Sequence, residues 1–109
     1  MLAAGRLRHQ ITIEQPVESQ DAAGEPVKSW VPIPGGITWA EKLDLTGREL
    51  FQAQQTSGEV TTQFTLRHRA DIDARMRVVH GAELYSIEAP LDPDGRRERL
   101  VLLCARDAN

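Results

Sequence analysis

The sequence has a single cysteine, Cys104, among 109 residues. That excludes an intrachain disulfide and any zinc site built from several cysteines. Aromatic residues are scarce at 5%, so a core must rest mainly on Leu, Val and Ile. No apolar run approaches the roughly 18–20 residues that a membrane-spanning helix needs. The opening MLAAGRLRHQ is interrupted by Arg6 and Arg8 before a leader-like apolar stretch develops, and the expectation is a cytosolic product. An excess of positive charge is also missing: 16 acidic residues face 13 basic ones, for a net charge of −3. Dedicated nucleic-acid binders usually show the opposite balance. Repeats and low-complexity tracts are absent, and the length fits one domain with one modest core.

The usual signatures of catalysis are lacking too. No nucleophile elbow, P-loop or dinucleotide fingerprint occurs. His9, His68 and His80 fall in separate predicted strands without metal-ligand spacing, which reads as ordinary strand histidines. His68 with Asp71 and Asp73 is a conceivable cation cluster, but nothing in the spacing fixes its geometry. Asp92-Pro-Asp94-Gly95 resembles the start of a calcium loop but lacks the later oxygen ligands and closing glutamate, so it reads as a turn. Cys104 lies in the most apolar segment, where a free cysteine packs as a small hydrophobe. No residue is therefore assigned a catalytic, metal-binding or cofactor-binding role, and an enzyme is not expected.

What is present is alternation. In Val60 to Arg69 one face carries Val60, Thr62, Phe64, Leu66 and His68, the other Thr61, Gln63, Thr65, Arg67 and Arg69, the pattern of a half-buried strand. Before it, Thr46-Gly-Arg-Glu49 spells a capping box that opens a short helix over Arg48 to Gln55, ended by Ser57-Gly58. Leu50, Phe51 and Ala53 give that helix a narrow apolar patch, and at this length it must dock on other structure. Leu7 to Glu14 alternates as a second strand, which Pro16 should stop. Residues 16–28 read as an extended exposed loop, acidic through Glu18, Asp21 and Glu25, with Ser29 to Val31 as a returning strand. The stretch reads as a long hairpin tip, and either as a mobile surface loop or as a binding loop; irregular loops of this length are usually functional or disordered. Pro32-Ile-Pro34-Gly-Gly36 reads as punctuation before a strand from Trp39 to Leu45. Met76 to His80 and Leu84 to Ala89 flank a Gly81-Ala82 turn. Arg99 to Arg106 is apolar on both faces, so it is central, or covered by the helix or a neighbouring subunit. The expected fold is mainly β: a small antiparallel barrel-like domain with one short helix and a long hairpin loop.

Laid out this way, the chain resembles the head–tail joining family of tailed bacteriophages, the head-completion or stopper proteins also found in prophages and gene transfer agents. The matching residues run nearly end to end: Gly5-x-Leu7-Arg8-His9-x-Ile11-Thr12-Ile13, Asp21-x-x-Gly24 leading to Trp30, Trp39-Ala40-Glu41, Thr46-Gly47-Arg48-Glu49, Glu59-x-Thr61, Thr65-x-Arg67-x-Arg69, Met76-Arg77-Val78 and Leu102-Leu103-Cys104. Their order and spacing carry the resemblance together. Pro34-Gly35-Gly36 makes a longer approach to the Trp39 strand than the family pattern, and Ala89-Pro90 replaces a more aliphatic run.

The resemblance implies a homo-oligomeric ring, twelve-fold to match the portal or adaptor above it, with the tail terminator or tail below. Such a ring closes the DNA-filled head, lets genomic DNA pass without sequence-specific binding and docks the tail. It sits in the virion neck after assembly in the host cytoplasm, with no membrane involved. Within that frame Glu18, Asp21, Gly24 and Glu25 are expected in a loop that contacts the portal or adaptor or narrows the channel. Arg67, Arg69 and Arg77 are expected at a subunit or tail interface; a solvated sheet face is their plainer explanation. The alternatives are a nucleic-acid-binding small barrel, disfavoured by charge and by few aromatics, and another neck component such as a tail terminator.

Overall fold

The computed structural model describes residues 4–56 and 59–107. After a single 3₁₀ turn at Ala4–Arg6, the chain runs β1 (His9–Gln20), β2 (Pro26–Asp44), α1 (Gly47–Thr56), β3 (Thr62–Arg67), β4 (Arg77–His80), β5 (Glu83–Leu91) and β6 (Arg99–Arg106). The six strands close into an antiparallel barrel in the order β1-β2-β3-β6-β5-β4. Closure leaves no bare sheet edge around the wall, the usual hazard of a small β domain.

Three prolines and a glycine pair expected to end strands do not. β1 continues past Pro16, which pairs with Trp30, and β2 runs through Pro32 to Gly36. The reason is where they sit. β1 bonds β4 only over Thr12 to Glu14, so beyond Glu14 the β1–β2 ribbon has open edges, where a missing N–H costs no ladder bond. Residues 16–28 are accordingly a paired hairpin rather than an irregular loop, with Glu18 opposite Lys28 and Gln20 opposite Pro26.

The second interruption becomes a bulge. Thr12 pairs with Ile37 and Glu14 with Pro32, so Ile33 to Gly36 stand opposite Ile13 alone. The extra residues drive Ile33 into the core, where it is buried, and Gly35 takes a φ of 64°. Gly36 is held so tightly that an added β-carbon would lie 2.7 Å from the Ile13 carbonyl oxygen and 2.8 Å from that of Ile33.

Inside the barrel, Ile11, Ile13, Phe64, Leu66, Val78, Tyr85, Ile87, Leu102 and Cys104 form one core, with Phe64 and Tyr85 edge to face at 5.1 Å between ring centres. The second apolar face of β6 meets the helix: Val101 and Leu103 pack with Leu45 and Val60 beneath Leu50 and Ala53 of α1. The two-sided apolarity of Arg99 to Arg106 is thus covered within the chain. The capping box does not form, since its reciprocal side-chain contacts are not among the hydrogen bonds of the described residues. Thr46 directly precedes α1 and its carbonyl accepts from the Leu50 amide, while Gly47 opens the helix at φ 55°, outside the helical range. The expected stop at Ser57-Gly58 lies outside the described residues. At Gly81-Ala82 the two-residue hairpin turn is present, with Gly81 at φ 61° in its first position.

Candidate functional site

Because β1 and β2 outrun the barrel, they project as a two-stranded arm. Six residues of β1, Gln15 to Gln20, lie beyond the last pairing with β4, a reach of about 20 Å. The molecule measures 49 × 29 × 26 Å accordingly.

Opposed residues share a face, so the arm has two distinct sides. One carries Val17, Val27 and Val31, all exposed, interleaved with Gln15, Ser19 and Ser29. The other carries Pro16, Trp30, Glu18 and Lys28 and is braced at its base. The Arg77 guanidinium stacks 4.4 Å from the Trp30 ring centre and donates to Glu14 at 2.8 Å, while the Lys28 ammonium approaches the same ring at 5.0 Å. An aromatic face held by two cations resists tilting of the arm more than the ladder alone would.

At the tip, Asp21 is consumed by the turn: its carboxylate accepts from the amides of Ala23 and Glu25, both at 2.9 Å, and its carbonyl from Gly24. Gly24, at φ 82°, closes that turn. The arm carboxylates that the turn leaves unengaged are therefore those of Glu18 and Glu25.

The structure brings Glu18, Asp21, Gly24 and Glu25 together at the arm's end, but it does not gather the three arginines. Arg67 and Arg77 lie on β3 and β4, three strands apart around the closed barrel in either direction. Arg77 braces the arm. Arg69 donates to the carbonyls of Gly35 and Pro34 at 2.7 and 2.9 Å and pairs with Asp71, so it fastens the β2 bulge to the loop after β3. That partner raises its pKa and holds the Asp71 carboxyl below the usual range. Arg67 is exposed on the outer wall.

Beside Arg67 lies a feature that strand assignment alone did not single out. Ile37, Trp39 and Leu43 share the outward face of β2 and are 64%, 52% and 42% exposed. Leu7, Thr38, Trp39 and Arg67 line a 410 Å³ groove at this strip. Alternation hid it: Ile37, Trp39 and Leu43 share one parity, which reads as the buried face, yet it is Ala40, on the other parity, that enters the barrel core.

The remaining polar residues are locally engaged. Asp73 pairs with Arg75, and Asp71 with Arg69, leaving His68 without a carboxylate cluster. Among the described residues no three potential metal ligands gather. His9 and His80 do meet at the barrel end opposite the arm, Nδ1 to Nε2 at 3.3 Å. Desolvation first, then repulsion from His9 and Lys42, pushes the His80 pKa down, against opposing pulls from Glu83 and Asp44. Burial likewise pushes the Cys104 thiol well above its normal value, which makes it a packing residue. The Asp92 turn forms, its carboxylate accepting from the Arg97 amide at 3.0 Å.

A closed barrel carrying a projecting hairpin and an exposed apolar strip defines a protein that works through its surfaces. The chain belongs to the phage head completion protein family, whose model matches residues 2–107, and it is a structural component of the phage virion. Among solved structures it is similar to protein SF1141 from Shigella flexneri 2a, determined in solution, at 27% identity and a TM-score of 0.75 over 99% of each chain. The fold is shared as well with a chain of the virion of a native gene transfer agent particle, at 24% identity and a TM-score of 0.53 over 93% of this chain and 94% of that one. No curated protein matches the sequence.

Proposed function

We propose that the chain assembles as a homo-oligomeric ring in the virion neck, twelve-fold to match the portal or adaptor above it. There it closes the DNA-filled head and offers the surface on which the tail docks. The observation that carries this reading is the hairpin arm, an ordered 20 Å extension that adds nothing to the barrel core and ends in the exposed carboxylates of Glu18 and Glu25. Family membership supports the setting. Two different outward surfaces on one small barrel suit head-to-tail contacts between identical subunits, which form a ring when the rotation closes.

A channel for genomic DNA requires no base readout, and contact with phosphates must stay weak enough for the duplex to slide. The acidic arm tip meets that need if it faces the channel; it equally suits docking on a basic portal-side surface. Arg67, exposed on the outer wall, is placed in this reading at the subunit or tail interface.

Cryo-electron microscopy of the particle's neck tests the proposal. A ring of this barrel between portal assembly and tail is the expected result, and its absence from the neck overturns the reading. Deleting Glu18 to Glu25 is expected to leave a folded barrel but to block head completion; DNA-filled heads that still accept tails would remove the arm from the mechanism.

A further inference from the structure

The ring reading leaves open which surfaces of neighbouring copies meet, and the arm and the β2 strip answer it together. We infer that the valine side of one copy's arm, Val17, Val27 and Val31, lies on the Ile37–Trp39–Leu43 strip of the next copy, an interface that rests on the ring reading above.

Three observations converge on a second copy as the occupant. The first is chemistry: the molecule presents two exposed apolar rows, one on the arm and one on the barrel wall, and neither is covered by the described residues. Exposed apolar rows rimmed by polar groups mark contact sites. Here polar groups interrupt both rows: Gln15, Ser19 and Ser29 on the arm, and the half-buried Glu41 between Trp39 and Leu43 on the wall, with Arg67 at its side.

Length is the second. Gln15 to Gln20 and Ile37 to Leu43 each extend for about 17–20 Å at the rise of a strand, so one row can lie along the other. The groove lined by Leu7, Thr38, Trp39 and Arg67 offers a recess at the Trp39 end for a branched aliphatic side chain.

The third is charge. Residues 15–31 hold Glu18, Asp21 and Glu25 against Lys28 alone, a net charge of −2 on the arm. Arg67 stands exposed beside Trp39, whereas Arg69 and Arg77 are engaged within their own chain. Glu18 shares the Trp30 side and Asp21 closes the turn, so Glu25 at the tip is the carboxylate left to meet the exposed arginine and fix the direction of docking. The two surfaces differ, so the contact is heterologous and propagates from copy to copy.

Cysteine cross-linking in assembled particles tests this. Val27 and Trp39 lie on the same strand, and their β1 partners Ser19 and Gln10 are nine residues apart, so the two are separated by about 30 Å and cannot be joined within one chain. The native Cys104 is buried and does not interfere. Particles carrying the Val27→Cys/Trp39→Cys double variant, oxidised and run under denaturing conditions, are expected to give a ladder of covalent dimers, trimers and higher species. Neither single variant should give one. A second pair, Val17→Cys with Ile37→Cys, guards against a local effect of losing Trp39.

No ladder from either pair, in particles that contain the chain, overturns this interface and leaves the ring reading intact. Dimers from Val27→Cys alone would mean that arms meet arms, which also overturns it. Particles lacking the chain altogether overturn both. Introducing Arg67→Glu into the double variant is expected to cut the ladder about tenfold, with recovery when Glu25→Arg is added; an unchanged yield removes Arg67 from the contact and overturns the assigned docking direction.

Discussion

Replacing Gly36 with alanine would press a methyl group into two backbone carbonyls rather than into movable side chains. The bulge must shift, and Ile33 and the Arg69 fastening must shift with it. A loss of about 2 kcal/mol is expected, visible in a thermal melt as a fall of roughly 8–16 °C for a domain of this size. Gly5→Ala, where nothing lies near the added carbon, is the control and should melt like the parent. His80 gives a pH signature. Its folded pKa lies below the ordinary value, so the unfolded chain takes up a proton more readily, and stability is complete above about pH 6.5 and declines as pH falls through that value toward the folded pKa. The carboxyls of Asp44, Asp71, Asp73 and Glu83 are held down by their partners and lose their contribution only on further acidification, as pH falls through their lowered values. Urea midpoints are therefore expected to drop between pH 7.5 and 5.5 in the parent and to change less in His80→Gln. An equal drop in both would assign the effect elsewhere.

Among the elements, α1 shows how a short helix is held. Leu50 and Ala53 close over Val101 and Leu103, whereas Phe51 points outward and is 65% exposed. Leu50→Ala is expected to destabilise by about 1–2 kcal/mol, less than a fully buried leucine because the site is only half covered. Phe51→Ser should stay within about 0.5 kcal/mol; denaturant titration separates the two. Much of this layer was legible beforehand: the alternation of Val60 to Arg69, the Gly81-Ala82 turn and the two-sided apolarity of β6 each state their structure locally. What misled was also local. Pro16 and Pro32 to Gly36 are strand breakers wherever both edges must be bonded, and only the three-residue span of β1–β4 pairing reveals that here they need not be. Thr46 and Glu49 carry the right side chains for a capping box, yet a box needs a helical first turn and Gly47 stands between them at φ 55°. The acidic cluster at the arm tip was visible as a composition, but the division between a turn-forming Asp21 and the exposed Glu18 and Glu25 required the hydrogen bonds.

For the molecule as a whole, barrel closure depends on its shortest seam. β1 meets β4 through three residue pairs, Thr12–Val79, Ile13–Val78 and Glu14–Arg77, whereas β3 meets β6 through six. The last pair of the seam carries the half-buried Arg77–Glu14 ion pair, which serves both the closure and the arm's brace. Native-state hydrogen exchange should show amides of the β1–β4 seam opening at lower free energy than those of β3–β6. Glu14→Gln should widen that gap and speed exchange at the arm's base in the same experiment; protection unchanged at both places would separate the arm from the wall. The three arginines expected at one interface come apart at this scale, because strand order sends β3 and β4 to opposite sides of the barrel.

The continuity of β1 and β2 from barrel wall to arm tip also has a thermodynamic side. A loop that ordered only on meeting its partner would surrender conformational entropy at that moment and weaken the contact by several kcal/mol. Here the ladder from Gln15 to Val31 is complete in the lone subunit, so most of that ordering is done as the chain folds. Docking then draws on a surface already shaped for it, and its heat signature should follow buried area rather than a coil-to-strand transition.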